Sequence, residues 1–345
     1  MAIIDKPSDY FNTVIYTGNA GTQSITGVGF SPDFIWGKNR SSVTHHALVD
    51  TVRGNTKYVK SSTNAAEATI TNMVTAFGSD GFSLGADSDM NGSSANQVAW
   101  NWKAGTSFTN DASATGIGSI DSTGSVNTDA GFSIISYTGT ASAATVAHGL
   151  GAVPKMIIVK TRGSSGDWSV YHSSLGNTKN LKLNTTAAEQ TSASYWNNTT
   201  PTSSVFTIND EGNVNGSSVA MIAYCFAEKQ GYSKFSSYSS NSNADGPFVY
   251  LGFKPAFLIV KCTTAAEGWA IMDSTREPTN DGSFATLSAN TNGSEGSLVI
   301  DFLSNGFKPR QVSGQINKSG SHSYIFMAFA SNPLVTSTGV PATAR

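Results

Sequence analysis

The sequence contains few charged side chains. Asp, Glu, Lys and Arg make up 13% of its 345 residues, against about 25% in average globular proteins, and the formal net charge is −2. There is no basic surplus to neutralise a phosphate backbone, so the composition argues against nucleic-acid binding. With only five histidines, general acid–base catalysis has few candidate groups.

Long apolar runs are also missing. No stretch approaches the roughly 18 apolar residues that span a bilayer as a helix. Residues 1–9 lack the basic and apolar regions of a secretory signal peptide. We therefore predict a soluble protein that is made in a cytoplasm and does not insert into membranes.

Cysteine is nearly absent. Cys225 and Cys262 each lie in an apolar, strand-like run. This placement favours buried free thiols that act as small apolar side chains over a disulfide or a catalytic nucleophile.

Ser, Thr, Asn and Gly supply the polarity that charges do not, and one motif occurs three times. It consists of Gly, a Pro three residues later, a short apolar run and a Lys, and it lies at residues 29–38, 151–160 and 252–261. Each motif follows a Tyr-containing strand and precedes an aromatic strand, a polar turn and an apolar closing strand. An internal repeat of this kind predicts three copies of one structural unit.

Short strands separated by Gly, Asn, Asp and Pro predict an all-β fold of three tandem β-sandwich or jelly-roll-like repeats. The apolar runs without alternation, such as residues 156–159, predict strands covered on both faces or an interface between copies. Each copy is long enough for its own core, so we expect a stiff, elongated body. The predicted parts are repeat 1 at residues 1–105, a linker or surface loop at 106–130, repeat 2 at 131–230, repeat 3 at 231–332 and a C-terminal tail at 333–345.

Several motifs together resemble a repeat found in virion proteins of tailed bacteriophages, especially marine and cyanobacterial ones. They are KPSDYFNT (6–13), YTG (16–18), GFSPDFIW (29–36), DGFSL (80–84), VAWNWKAG (98–105) and the tail at 331–345. The resemblance implies a tail, fibre-like or capsid-decoration protein. That family has no established catalytic residues, so it implies none here.

Two patterns suggest metal binding, and each has a simpler interpretation. Asp87, Asp89 and Asn91 match the start of a calcium loop, but position twelve is Val98 instead of Glu. The alternative is an Asn-Gly hairpin turn. The pair His45 and His46 is expected at the surface or in a turn, because adjacent strand residues point to opposite faces.

Paired carboxylates could indicate a glycan hydrolase. The acidic candidates are Asp167, Asp210, Glu211, Asp273, Glu277 and Asp301. Asp50 and Asp273 occupy equivalent repeat positions, but the second copy has Tyr171 or His172 there, which favours a turn or capping role. We therefore predict no catalytic residues, no cofactor and no enzyme.

Aromatic side chains outside the repeated motifs are the candidate contacts for a receptor or partner. They are Tyr195 and Trp196 in the non-repeated loop at residues 185–201, and Tyr232 and Phe235 at the second copy boundary. Exposed aromatics on loops are typical of binding sites.

These expectations favour a non-enzymatic virion component, displayed as a capsid decoration or tail appendage and aiding attachment to a host surface. Its expected partners are other virion proteins, further copies of itself and a host-surface glycan, with no nucleic acid. Its expected location is the virion. The alternatives are a lectin-like carbohydrate-binding module and a β-sandwich glycan hydrolase.

Overall fold

Antiparallel strands are the main regular structure of the chain, which confirms the predicted all-β fold. The computed structural model describes residues 3–339. Residues 1–2 and 340–345, the latter being the end of the predicted tail, lie outside the described residues. Within residues 3–339 the helices are four single-turn α-helices and one 3-10 turn, Pro7–Asp9. None of these helices has the length and apolar character needed to cross a membrane.

Unit 1 begins after the 3-10 turn and ends at Trp102. Its elements are β1 (Phe11–Thr17), β2 (Gln23–Ile25), β3 (Phe34–Asn39), β4 (Ala47–Asp50), β5 (Lys57–Tyr58), β6 (Ala68–Thr69), β7 (Val74–Gly78), β8 (Gly81–Leu84), α1 (Ser88–Asn91) and β9 (Asn96–Trp102). An insertion follows, with β10 (Thr106–Asn110), α2 (Ala112–Thr115) and β11 (Ser122–Asn127).

Units 2 and 3 follow the insertion. Unit 2 has β12 (Phe132–Thr138), β13 (Ala144–Ala147), β14 (Met156–Thr161), β15 (Ser169–His172), β16 (Lys179–Lys182), β17 (Gln190–Thr191), α3 (Ala193–Trp196), β18 (Val205–Ile208), α4 (Gly212–Asn215) and β19 (Ala220–Phe226). Unit 3 has β20 (Ser233–Ser239), β21 (Val249–Tyr250), β22 (Phe253–Cys262), β23 (Trp269–Asp273), β24 (Phe284–Ser288), β25 (Gly296–Leu298), β26 (Ile300–Leu303), β27 (Gly306–Pro309) and β28 (Ser323–Pro333).

Each unit contains a main sheet with the same strand order. The orders are β1-β9-β3-β4, β12-β19-β14-β15 and β20-β28-β22-β23, and further strands extend the sheets of units 2 and 3. A smaller outer sheet packs on each main sheet: β2-β8-β7 in unit 1, β13-β18 in unit 2 and β21-β27-β26 in unit 3. Each unit is therefore a β-sandwich of unequal sheets.

The central strands of the main sheets are covered on both faces, as the apolar runs predicted. In β14, Met156 and Ile158 belong to one buried cluster, whereas Ile157 and Val159 belong to another. Alternate side chains of a strand point to opposite faces. A strand that is buried on both sides therefore needs apolar residues at every position.

The inner faces of the three main sheets form one shared core. Trp102, Phe226 and Phe329 occupy equivalent positions of β9, β19 and β28, and their rings contact one another with centroids 5.7–6.4 Å apart. Each unit has the core of its own that was expected, between its main and outer sheets, but the expectation of an elongated body is wrong because the inner faces meet. The units surround a common aromatic centre and depend on one another for burial of their inner faces.

The insertion is not a linker. β10 pairs with β11, and β11 pairs with β12, so residues 106–130 add two strands to the edge of the main sheet of unit 2. Asp111 caps α2 between them by accepting hydrogen bonds from the backbone N–H groups of Ser113 and Ala114. The Ser- and Thr-rich composition of this segment suggested a linker or a surface loop, but its residues form the strands β10 and β11.

Candidate functional site

The candidate calcium loop at residues 87–92 is a capped helical turn. Asp87 accepts a hydrogen bond from the backbone N–H of Asp89 at the start of α1. Asn91 is fully buried; its Oδ1 accepts from the N–H of Asn19 at 2.8 Å, and its Nδ2 donates to the carbonyl oxygens of Gly21 and Gly85. The Asn91 side chain is thus fully used within the fold, which contradicts its assignment as a ligand.

The hairpin interpretation of the same loop is wrong as well. Asn91 is helical and Gly92 has a φ of −57°, so the Asn-Gly pair makes no turn that requires positive φ. Asn215 and Asn317 are buried in the same way and donate to the carbonyls of Ser142 and Asn243. Within residues 3–339 no group of three or more His, Cys, Asp or Glu could hold a metal ion.

The four aromatic residues predicted as exposed contacts are all buried. Tyr195 and Trp196 are 3% and 1% exposed, because the short helix α3 turns their rings into the outer core of unit 2. Tyr232 and Phe235 are 0% and 4% exposed and belong to the shared core. Their predicted exposure is therefore wrong, since non-repeated segments here also supply core side chains.

His46 is a buried member of the contact between units 1 and 3, not a surface residue. Its Nδ1 accepts a hydrogen bond from Trp36 Nε1 at 2.9 Å, so the proton lies on Nε2, which is 3.0 Å from the carbonyl oxygen of Ser288. Burial lowers its pKa to about 3. The cysteines match their prediction, because Cys225 and Cys262 are both free and buried.

A segment at the end of a strand in each unit contacts the next unit around the shared core. Lys60 and Lys182 offer their carbonyl oxygens to the indole N–H groups of Trp168 and Trp269, at 2.9 and 3.0 Å. The carbonyl oxygen of Ser288 lies 3.0 Å from Nε2 of His46, which occupies the position equivalent to Trp168 and Trp269. Unit 1 therefore contacts unit 2, unit 2 contacts unit 3, and unit 3 contacts unit 1. We call these three contacts the seams.

Two seams contain buried ion pairs. At the seam between units 1 and 2, Asp50 pairs with Arg53 at 2.6 Å, and Glu67 contacts both Arg53 and Arg162. At the seam between units 3 and 1, the same pattern joins two acidic and two basic residues, namely Asp273, Arg276, Glu295 and Arg40. The predicted capping role of Asp50 is confirmed by its bond from the N–H of Arg53.

The repeated lysines are buried too. Lys38, Lys160 and Lys261 are each 0% exposed, and burial lowers the pKa of each to about 8. Their ammonium groups donate to backbone carbonyls, such as that of Glu267 at 2.7 Å from Lys261. In the seams, Lys261 also donates to the carbonyl of Thr186 in the preceding unit. These lysines therefore hold loops in place.

Sequence reasoning missed a face of unit 3 that carries exposed aromatic rings. Among the large apolar side chains that are exposed within residues 3–339, Phe248 and Tyr250 are the aromatic ones, at 48% and 58% exposure. Val249 between them points into the outer core of unit 3. The alternation Phe-Val-Tyr was the available signal, because residues two apart in a strand share a face.

Charged groups share this face. Lys308 lies opposite Asp301 in the pairing of β26 and β27. Asp245 forms ion pairs with Lys308 at 3.0 Å and with Arg310, and Arg310 also contacts Asp301 at 3.4 Å. We call Phe248, Tyr250, Asp301, Lys308, Arg310 and Asp245 the aromatic face of unit 3.

The fold and its seams define a single-chain protein of three β-sandwich units around a common core. Residues 6–333 match a family model described as a domain of unknown function (DUF7483), and the chain belongs to that family. A search of the curated proteins gave no match.

Proposed function

We propose that the protein is a non-enzymatic structural component of a bacteriophage virion, displayed as a capsid decoration, a knob or a tail appendage. The observation that carries the proposal is the use of ionisable groups in the seams. Asp50, Arg53, Asp273 and Arg276 have fully buried side chains. Asp50 and Arg53 bond to Tyr224 of unit 2, and Asp273 accepts a hydrogen bond from Trp100 of unit 1. Because these side chains are buried and bonded within the fold, they stabilise the structure and offer no free acid–base pair for catalysis at those positions.

The seams also suit a protein that is exposed on a particle. Breaking a buried ion pair by removing one partner costs roughly 3–5 kcal/mol, so the arrangement is strongly specified. Because all three units lie in one chain, dilution cannot separate them as it separates subunits. The resemblance of the repeated motifs to phage virion proteins adds the expected location, with other virion proteins and further copies of the chain as partners.

The test is to locate the protein on particles. Antibodies raised against the recombinant chain would be used on density-purified phage particles from the source, by immunoblot and by immunogold electron microscopy. We expect the protein to co-purify with particles and the gold to label the capsid surface or the tail tip. Recovery only in the soluble, particle-free fraction would overturn the proposal.

A lectin-like binding module is the second candidate function, and the aromatic face of unit 3 favours it. Exposed rings beside fixed charged groups are typical of ligand-binding surfaces. The two candidates are compatible, since a virion component that aids host attachment needs a surface for the host.

A further inference from the structure

The aromatic face of unit 3 differs from the equivalent faces of units 1 and 2. Strand pairing in the outer sheets gives the equivalent positions. Val249 lies opposite Phe307 in unit 3, as Ile25 lies opposite Phe82 in unit 1 and Val146 lies opposite Phe206 in unit 2. Phe248 and Tyr250 then correspond to Ser24 and Thr26 in unit 1 and to Thr145 and Ala147 in unit 2. Only unit 3 places aromatic rings at these positions.

The charged residues of this face are also specific to unit 3. Lys308 and Asp301 correspond to Ser83 and Ala76 in unit 1, through the pairing of β7 and β8. In unit 2, Thr207 lies opposite Thr145. Units 1 and 2 thus carry small side chains where unit 3 carries two rings and a charged pair.

Both rings of the face lie on the solvent side of the outer sheet. Phe248 directly precedes β21 and Tyr250 ends it, and Val249 between them points into the outer core. Gly306 lies opposite Tyr250, and a larger residue does not fit there, since a Cβ would lie 2.1 Å from the carbonyl oxygen of Val249. The edge of the Phe248 ring extends over Gly306, because its Cε2 would lie 3.1 Å from that Cβ.

The charges indicate what kind of ligand fits. Asp245, Asp301, Lys308 and Arg310 are two acids and two bases, so the face has no net charge to attract an anion or a cation. Their mutual ion pairs fix the positions of groups that still have free lone pairs and N–H bonds. A ligand with both apolar faces and many hydroxyl groups satisfies the rings and the charges together.

A protein partner fits the face less well. A stable protein interface buries about 800 Å² on each side around an apolar centre. The other large apolar side chains that are exposed within residues 3–339 are aliphatic and lie in several parts of the chain, namely Ile15, Val43, Ile117, Val153, Val312 and Val335. Within the outer sheet of unit 3, the apolar part of the face is limited to two rings surrounded by charges.

We propose that Phe248 and Tyr250 bind an uncharged saccharide chain. The apolar faces of two of its sugar rings stack on the aromatic rings, and its hydroxyl groups hydrogen-bond to Asp245, Asp301, Lys308 and Arg310. The inference is independent of the virion role, because it depends only on the face itself.

The experiment uses the full chain and a variant that gives unit 3 the side chains of unit 1, Phe248→Ser with Tyr250→Thr. Affinity electrophoresis through gels containing dextran, mannan, galactan, alginate or a sulfated polysaccharide measures binding. The control is Val43→Ser, which removes an apolar side chain that is 69% exposed in unit 1. Thermal unfolding of each variant checks folding, and both changes should leave it intact because the side chains are exposed.

We expect at least one neutral polysaccharide to retard the wild type, with the double variant weakening binding about tenfold or more. Val43→Ser should bind like the wild type, and about 0.5 M NaCl should have little effect, because no net charge is involved. Three results would overturn the proposal: no retardation by any neutral polysaccharide, salt-sensitive binding to the acidic ones alone, or full binding by the folded double variant. Self-association that depends on Phe248 and Tyr250 would instead assign the face to a second copy, and would also overturn it.

Discussion

Replacing Asp50 with alanine should destabilise the protein far more than the loss of an exposed carboxylate. Asp50 is fully buried at the seam between units 1 and 2. Its Oδ1 accepts the N–H of Arg53 at 2.9 Å, and its Oδ2 accepts Arg53 Nε at 2.6 Å and the hydroxyl of Tyr224 at 2.8 Å. The substitution removes three hydrogen bonds and leaves a guanidinium group that cannot lose its charge.

The size of the stability loss depends on the contacts that Arg53 keeps when Asp50 is removed. It still donates to the carbonyl of Leu48 at 2.8 Å and still contacts Glu67 at 3.3 Å. Removing one partner of a buried pair costs about 3–5 kcal/mol when the remaining charge is uncompensated. Because Glu67 compensates part of it, we expect a loss of about 3 kcal/mol in the free energy of unfolding for Asp50→Ala.

Urea unfolding followed by tryptophan fluorescence measures this loss, and the chain offers a matched control. Asp245 also pairs with two cations, but its side chain is 65% exposed, so Asp245→Ala should change stability very little. The rescue variant Asp50→His with Arg53→Leu installs the residues found at the equivalent positions of unit 2, His172 and Leu175. It should be more stable than Asp50→Ala, because it leaves no unpaired charge. Equal effects of Asp50→Ala and Asp245→Ala would refute the reasoning.

Three further predictions concern the whole fold. Because the units share one core, urea unfolding should give a single transition by fluorescence and circular dichroism, and separate transitions for the units would contradict this. Burial holds the pKa of His46 at about 3 and those of His148 and His172 at about 4, so below about pH 6.5 the unfolded chain takes up protons first. The histidine contribution to stability should therefore be complete above about pH 6.5 and fall progressively towards pH 4, and a flat urea midpoint between pH 4 and 6.5 would contradict the assignment. Calcium or EDTA should leave the thermal midpoint unchanged, since Asn91 is already bonded within the fold; stabilisation by calcium would restore the loop at residues 87–92 as a metal site.

The sequence predicted features that depend on local pattern. The run at residues 156–159 predicted a strand covered on both faces, since apolar residues at every position leave no polar face. The two cysteines within such runs were correctly expected to be buried thiols. These inferences succeed because a strand's own side chains decide which of its faces can meet water.

The sequence could not predict contacts between distant segments. Arg162 bonds to Glu67 across the seam, and no periodic pattern links a loop residue of one unit to a strand end of the next. The burial of Trp196 had the same cause, because a loop composition rich in Ser, Thr and Asn hides the helical turn that directs the ring inward. The apolar runs allowed an interface between copies, but they could not show that the inner faces of all three units meet in one shared core.

Differences among the units are matched across the seams. Tyr224 of unit 2 donates to Asp50 of unit 1, and Trp100 of unit 1 donates to Asp273 of unit 3 at 2.9 Å. Strand pairing places Met327 at the corresponding position of unit 3, where it offers no such donor. At this seam between units 2 and 3, unit 2 has His172 in the position of Asp50 and Asp273. Nε2 of His172 lies 3.2 Å from the carbonyl oxygen of Phe326 in unit 3.

Variation inside the molecule is thus explained by a neighbouring unit: a carboxylate is kept where a donor faces it and is absent where none does. The change from Ser24 and Thr26 to Phe248 and Tyr250 has no counterpart of this kind, because both rings point to solvent. Packing does not account for it. Its cause is to be sought in a molecule outside the chain, which is why the saccharide experiment is directed at this face.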